Sequence, residues 1–211
     1  MRAKVGEEVI LFDNSGFEYA ARIDSIQRTT VELEIISGQE VNREAPIKVT
    51  IAVALPKGDR QRWLVEKCTE IGVHRLIPLK TARSVAEPNH SSIQRLQRFV
   101  IEAAKQCGRN RLMEISSAQE INALFKMTTA ENQRLFAHPS HDKHPSGGII
   151  PRQASDQPVI FTIGPEGGFT EQEVQSAEQH GWQRVTLGNC ILRTETAAIT
   201  AALAAILNPR V

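Results

Sequence analysis

The chain has 211 residues, 41% hydrophobic and 23% charged, enough for one substantial core plus a small second module, which excludes a disordered chain and a mini-protein scaffold. Twenty-five Lys and Arg against twenty-four Asp and Glu give a formal net charge of +1, so no overall field draws the chain to nucleic acid or anionic membrane, and any polyanion has to be met by a local patch. Aromatic residues make up 5%, with Trp63, Trp182 and Tyr19 the only Trp and Tyr, which argues against base recognition on many stacking platforms. Cys68, Cys107 and Cys190 are widely spaced with no CxxC pair, a pattern that fits a reduced, cytoplasmic setting and not a cysteine zinc site. The longest apolar run, 197–207, is too short to span a bilayer. The amino-terminal MRAKVGEEV lacks the apolar stretch of a signal peptide.

Along the chain, 8–12, 17–26 and 30–36 are β-rich runs separated by Asp13-Asn14-Ser15-Gly16 and closed by Ser37-Gly38, which predicts a three-stranded antiparallel meander. Three such strands make a poor core alone, so a small barrel or part of one is implied. A polar connector ending in Ala45-Pro46 places a boundary between residues 1–45 and 46–211. From there apolar strand-like runs alternate with helical periodicity, the signature of an α/β domain with a mainly parallel sheet. Strands are predicted at 47–55, 75–79, 133–137, 157–163 and 185–187. The 59–71 helix puts Leu64, Cys68 and Ile71 on one face before Gly72, and the 89–107 helix repeats Ile93, Leu96, Val100, Ala104 and Cys107 before Gly108. Thr170-Glu171-Gln172-Glu173 is a capping box for a helix ending near Gly181.

The last predicted helix, 194–207, reads TETAAITAALAAIL and is apolar nearly all round, so it needs cover on more than one side. A symmetric dimer supplies that cover most simply, with a central core helix in a monomer as the alternative. Two glycine-rich turns leave core strands: Ile163-Gly164-Pro165-Glu166-Gly167-Gly168-Phe169, and Leu187-Gly188-Asn189-Cys190-Ile191-Leu192-Arg193. In open α/β sheets, ligands sit in such loops at the carboxyl ends of strands, and glycine lets the backbone approach a flat ligand closely. Neither turn has a P-loop or GxGxxG spacing. Two ordinary tight turns would leave the same marks.

Gly164-Pro165-Glu166-Gly167-Gly168-Phe169, followed by Leu187-Gly188 and Ile191-Leu192-Arg193-Thr194-Glu195-Thr196-Ala197, closely resembles the RsmE family of SPOUT-class methyltransferases. Upstream, Pro56-Lys57-Gly58-Asp59-Arg60, Lys67, Thr69-Glu70-Ile71-Gly72-Val73, Ile77-Pro78-Leu79, Arg83-Ser84, Gln106 and Arg109 are similar to the same family in order, so the likeness runs from Val5 onward. It implies a trefoil-knotted, SPOUT-type α/β methyltransferase domain with a parallel sheet, preceded by a small PUA-like β-barrel that binds RNA. Knots are nearly absent from proteins, and no periodicity signals one. Members of the family usually begin with a further segment that completes the barrel, so the β domain is expected to be partial. The acidic residue that the family commonly carries before Gln106 is Lys105 here, a surface change. The implied activity is S-adenosylmethionine-dependent methylation of N3 of a uridine in 16S rRNA of the small ribosomal subunit, by a homodimer. Ile163, Gly164, Pro165, Glu166, Gly167, Leu187, Gly188, Ile191, Leu192 and Arg193 are then expected to hold the cofactor.

Uracil N3 carries a proton and becomes nucleophilic when that proton leaves, so fixed donors near the flanking carbonyls stabilise the anion. Arg193, entering a helix amino terminus, is the candidate for that role, and Glu166 or Glu195 the candidate proton acceptor. The plainer readings are a structural ion pair for Arg193 and a helix-stabilising carboxylate for Glu195. Residues 57–111 carry twelve Lys and Arg against five Asp and Glu. Lys57, Arg60, Arg83, Arg95, Arg98, Arg109 and Arg111, with Arg62 and Lys105, form the expected phosphate track, though a solvated helix face would look alike. Three histidines in His138-Pro139-Ser140-His141-Asp142-Lys143-His144 suggest a metal site only weakly, and none is expected. Cys68 and Cys107 read as core residues. The rival functions are a ribose 2′-O-methylating SPOUT enzyme and a non-catalytic RNA-binding protein.

Overall fold

A computed structural model describes residues 3–127, 132–139 and 157–207. The amino-terminal part is an antiparallel sheet of β1 (Glu8–Phe12), β2 (Phe17–Ile26) and β3 (Val31–Glu40) in that spatial order. The turn between β1 and β2 takes a left-handed residue at both Asn14 and Gly16, which lets the two strands reverse within four residues. β3 runs past Ser37-Gly38 to Glu40, because Gly38 pairs with Tyr19 and packs under its ring instead of ending the strand. Most of β3 is exposed, and only Ala21 and Ile23 of this sheet are fully buried.

The second sheet has seven strands: β4 (Val49–Val53), β5 (Arg75–Lys80), β6 (Glu114–Ile115), β7 (Gln119–Glu120), β8 (Gln133–Ala137), β9 (Val159–Ile163) and β10 (Gln183–Val185). The order is β10-β8-β9-β4-β5-β6, with β7 also on β5, and every pair is parallel. Five helices cover it: α1 (Arg60–Glu70), α2 (His90–Cys107), α3 (Ile121–Met127), α4 (Glu171–Gln179) and α5 (Thr194–Leu207). Central strands such as β4 and β9 are apolar at consecutive positions because both faces are buried. Ile51 and Val53 point to the side of α1, α2 and α5, and Ala52 to the side of α3 and α4.

Local chemistry sets the helix ends. Asn89 caps α2 reciprocally with Ser92, and Gly108 closes it in the left-handed conformation at φ 74°. Thr170 and Glu173 form the predicted capping box of α4. On α5, the small residues Ala197, Ala198, Ala201, Ala202 and Ala205 face inward, so the helix sits close on β4, β9 and α1. Ile206 packs on the edge of the same core, while Ile199 and Leu203 are half-buried and Leu207 is exposed.

Two further sequence expectations change, and three elements carry no sequence expectation. The last strand is 183–185, not 185–187, because pairing with β8 stops at Val185 and the chain turns away to form a loop. The short β6, β7 and α3 carry no periodic signal long enough to read. Cys107 is exposed at the end of α2 rather than in the core, whereas Cys68 is fully buried.

Candidate functional site

The carboxyl ends of β8, β9 and β10 lie side by side, and the three segments that leave them enclose a cavity of about 470 Å³. Its wall is built from Ala137 to Pro139, Ile163 to Glu166 with Gly168 and Phe169, Thr186 to Leu192, and Thr194 and Ala197 of α5. A volume of a few hundred cubic ångströms, mostly apolar and rich in backbone groups, suits a flat ligand of nucleoside size.

The local fold explains the shape. After β9, Gly168 N–H donates to the Pro165 carbonyl at 2.8 Å with Gly168 at φ 69°, a tight turn that a residue with Cβ would strain. A Cβ on Gly164 would lie 3.3 Å from the Phe169 ring, so the turn is packed on its own aromatic. Gly188, at φ 134°, turns the chain back from β10 toward α5. The Thr194 hydroxyl donates to the Gly164 carbonyl at 3.2 Å, joining the two loops.

Of the residues expected to hold the cofactor, Ile163, Gly164, Pro165, Glu166, Leu187, Gly188, Ile191 and Leu192 line the cavity, but Gly167 and Arg193 do not. Gly167 faces outward, its carbonyl accepting from Arg83 Nη1 at 2.7 Å with the Arg83 stem against it. Arg193 is exposed beside the wall, and among the described residues it has no carboxylate within ion-pair distance, neither Glu166 nor Glu195. Sequence reasoning missed Ala137, His138 and Pro139, although they follow a strand adjacent to β9 and the strand-end rule would have reached them. His141 and His144 lie outside the described residues, and among the described residues no cluster could hold a metal.

The two candidate carboxylates have unlike surroundings. Glu166 is half-exposed in the cavity wall and paired with Arg60 from the start of α1. Glu195 is 5% exposed, with Oε1 3.9 Å from Arg60 Nη1 and Oε2 without a hydrogen-bond partner among the described residues. The pair with Glu166, and the nearness of Glu195, raise the Arg60 guanidinium above its ordinary range.

The phosphate track divides. Lys57, Arg98 and Arg111 are exposed, and Arg95 is exposed with one bond to Gln61. Arg60 and Arg83 are turned to the loop after β9. Arg109 is 4% exposed, bidentate to Glu44 and bonded to the Thr69 and Val73 carbonyls, so it is walled off from phosphate.

A parallel sheet with a nucleoside-sized cavity in the loops after three neighbouring strands defines a nucleotide- or cofactor-binding α/β enzyme. The sequence model of the RNA methyltransferase domain matches residues 43–207, and that of the RNA methyltransferase PUA domain residues 1–36. The ribosomal RNA small subunit methyltransferase E of Bacillus subtilis is 32% identical over 95% of this chain and 82% of its own. That of Synechocystis is 32% identical over 98% of this chain and 67% of its own. Among solved structures, a Legionella pneumophila methyltransferase with SAM bound superposes with TM-score 0.84, at 32% identity, over 96% of this chain and 85% of that one. The Neisseria gonorrhoeae small subunit methyltransferase E bound to S-adenosyl methionine superposes with TM-score 0.83, at 31% identity, over 95% of this chain and 83% of that one. The chain belongs to the RsmE family of RNA methyltransferases, and its α/β part has the SPOUT-type parallel-sheet fold.

Proposed function

We propose that this chain transfers the methyl group of S-adenosylmethionine to N3 of a uridine in the 16S rRNA of the small ribosomal subunit. The observation that carries the reading is the cavity after β8, β9 and β10 in a chain about one-third identical to relatives whose structures hold that cofactor. The residues fit the group: the cavity has the volume for a nucleoside with a short tail, and Gly164 and Gly188 place backbone without a side chain in its wall. When bound, the cofactor supplies an electrophilic methyl on a sulfonium, leaving as a neutral thioether.

The backbone around Gly164 to Glu166 and Leu187 to Leu192 would hold the cofactor and fix it for transfer to the base. Glu166, half-exposed in that wall, takes the N3 proton directly or through one water, while Glu195 is buried too deeply to meet a base. Arg193, exposed at the entry to α5, stabilises the negative charge that the flanking uracil carbonyls gain, in the positive field of the helix amino terminus. A base inside a duplex is out of reach, so the target is unpaired or extruded. Lys57, Arg95, Arg98 and Arg111 supply phosphate contacts, with residues 1–45 as an RNA-binding β module ahead of the methyltransferase domain at 46–211.

The working form is a homodimer in the cytoplasm. The outward Ile199, Leu203 and Leu207 support a second copy over α5, and three unpaired cysteines suit a reducing compartment. Light scattering behind a sizing column tests the dimer. For the activity, 16S rRNA and small subunits from a strain lacking this protein are incubated with methyl-labelled cofactor, and nucleosides are identified by mass spectrometry. 3-Methyluridine is expected. A 2′-O-methylated nucleoside would assign a different SPOUT reaction, and absence of both labelling and cofactor binding would leave an RNA-binding protein.

A further inference from the structure

Arg60 lies on the first residue of α1, yet its guanidinium reaches Glu166, 106 residues later in the chain. Its Nη1 also lies 3.9 Å from Glu195 Oε1, on the first turn of α5. One cation thus stands between a carboxylate of the loop after β9 and a carboxylate of the helix after β10, the two segments that form most of the cavity wall. Glu195 has no other charged neighbour within ion-pair distance among the described residues, and its Oε2 is buried without a partner. A carboxylate so placed depends on a nearby positive charge.

The geometry points to Arg60 as a positioning residue for methyl transfer, holding Glu166 in the cofactor loop and Glu195 at the start of α5 in fixed relation, rather than as a contact to RNA phosphate. This inference rests on the proposed reaction for its kinetic part and on cofactor binding alone for the rest. A guanidinium suits the task because its planar fork offers several donors to two acceptors at once, whereas an ammonium is a point charge. The Arg60–Glu166 pair is partly exposed, so it contributes little to global stability. Its effect is local, on where the loop sits, and methyl transfer is sensitive to small misplacements of donor and acceptor. Arg83, bonded to the Gly167 carbonyl, holds the next residue of the same loop from outside.

The test compares wild type, R60A and R60K by calorimetric titration of S-adenosylmethionine, and by steady-state methylation of small-subunit RNA. Thermal melting checks that each variant is folded. R60A is expected to bind the cofactor about tenfold more weakly and to lose about a hundredfold in kcat at saturating RNA, with KM for RNA within about threefold of wild type, as misplacement of reacting groups costs. R60K is expected to restore most of the cofactor affinity and only part of kcat, because a single ammonium serves one carboxylate well. The inference is overturned if R60A keeps cofactor affinity and kcat while KM for RNA rises and the salt dependence of RNA binding falls by about one ion, the behaviour of a phosphate contact. Wild-type protein that binds cofactor without methylating this RNA would refute the proposed reaction, and the calorimetric comparison would still decide the role of Arg60. Wild-type protein that fails to bind S-adenosylmethionine would overturn both.

Discussion

Replacing Arg109 by methionine separates a buried structural cation from an RNA contact. The guanidinium donates from Nε and Nη2 to the two Glu44 oxygens at 2.8 and 2.6 Å, and from Nη1 to the Val73 and Thr69 carbonyls at 2.8 and 3.2 Å. Methionine fills the volume but leaves Glu44 and two carbonyls without that donor. Removing one partner of a buried pair costs about 3–5 kcal/mol. The lower end applies, because the Glu44 side chain is 22% exposed and can turn to water, and the Thr69 carbonyl also accepts from Gly72 N–H. A loss of about 3 kcal/mol lowers Tm by about 6–12 °C in a chain of this size. Thermal and urea unfolding followed by circular dichroism measure it. The double variant R109M/E44L is expected to recover more than half, since the orphaned charge is gone. RNA binding at a temperature where both proteins are folded should show an unchanged salt dependence. A loss below about 1 kcal/mol together with a salt slope reduced by about one would return Arg109 to the phosphate track and refute the burial argument.

Three further outcomes are expected. Burial pushes the Cys68 thiol up to about 12, so in native protein a thiol reagent labels Cys107 and Cys190 and reaches Cys68 only on unfolding; rapid native labelling of all three would contradict the packing of α1. Because the Cys68 thiol stays protonated in the fold, its contribution to stability is complete below the ordinary thiol range of about 8.5 and is lost as pH rises toward 12, and C68A should flatten that alkaline decline in urea midpoints. Burial first, then Lys48 and Arg75, hold His74 below its ordinary range, so its contribution is present above about 6.5 and lost as pH falls through the lowered value; urea midpoints of H74Q should lack that part of the acid decline. Gly188→Ala forces a side chain into φ 134°, a strain of about 1–3 kcal/mol that falls on the cavity loop. It should weaken S-adenosylmethionine binding by calorimetry more than it lowers Tm, and equal cofactor affinity would show that the loop tolerates a different path.

Much of the fold is legible because it rests on local rules. The 194–207 helix, the Gly108 stop of α2, the 133–137 strand and the capping box of α4 all sit where residue pattern and capping chemistry put them. What is not legible depends on partners distant in sequence. β6 and β7 are two-residue strands that exist only by pairing with β5, and β10 ends where β8 stops offering a partner. The site follows the same division. The glycine loops mark the cavity, since glycine leaves a local signature, and the strand-end rule names the region. His138 reads from the sequence only as a weak metal candidate, because it is the parallel pairing of β8 with β9 that brings it to the wall. The roles of Arg60, Arg83 and Arg109 depend on Glu166, Gly167 and Glu44, which are 106, 84 and 65 residues away.

That dependence also changes the electrostatics of the surface proposed to meet RNA. A count over residues 57–111 shows seven more basic than acidic residues, but a charge paired with a carboxylate projects little field. Arg60, Arg75, Lys80 and Arg109 are each paired with a carboxylate from outside the segment, Glu166, Glu114, Glu120 and Glu44. Among the described residues the local excess is therefore nearer +3, carried by Lys57, Arg83, Arg95, Arg98, Lys105 and Arg111 against the remaining acids of the segment. The paired arginines do other work. Arg109 joins Asn110 and Leu112 in a polar clasp on the β module: Asn110 Nδ2 donates to the Gly16 and Val41 carbonyls at 3.1 and 2.8 Å, and Leu112 N–H to Asn14 Oδ1 at 2.6 Å. The same basic stretch that a charge count assigns to RNA thus spends Arg109 on fixing the β module and Arg60 and Arg83 on the loop after β9. Lys57, Arg95, Arg98 and Arg111 remain for the proposed phosphate contacts, so the shape of that surface, and not its total charge, is the expected source of a preference for a folded RNA site.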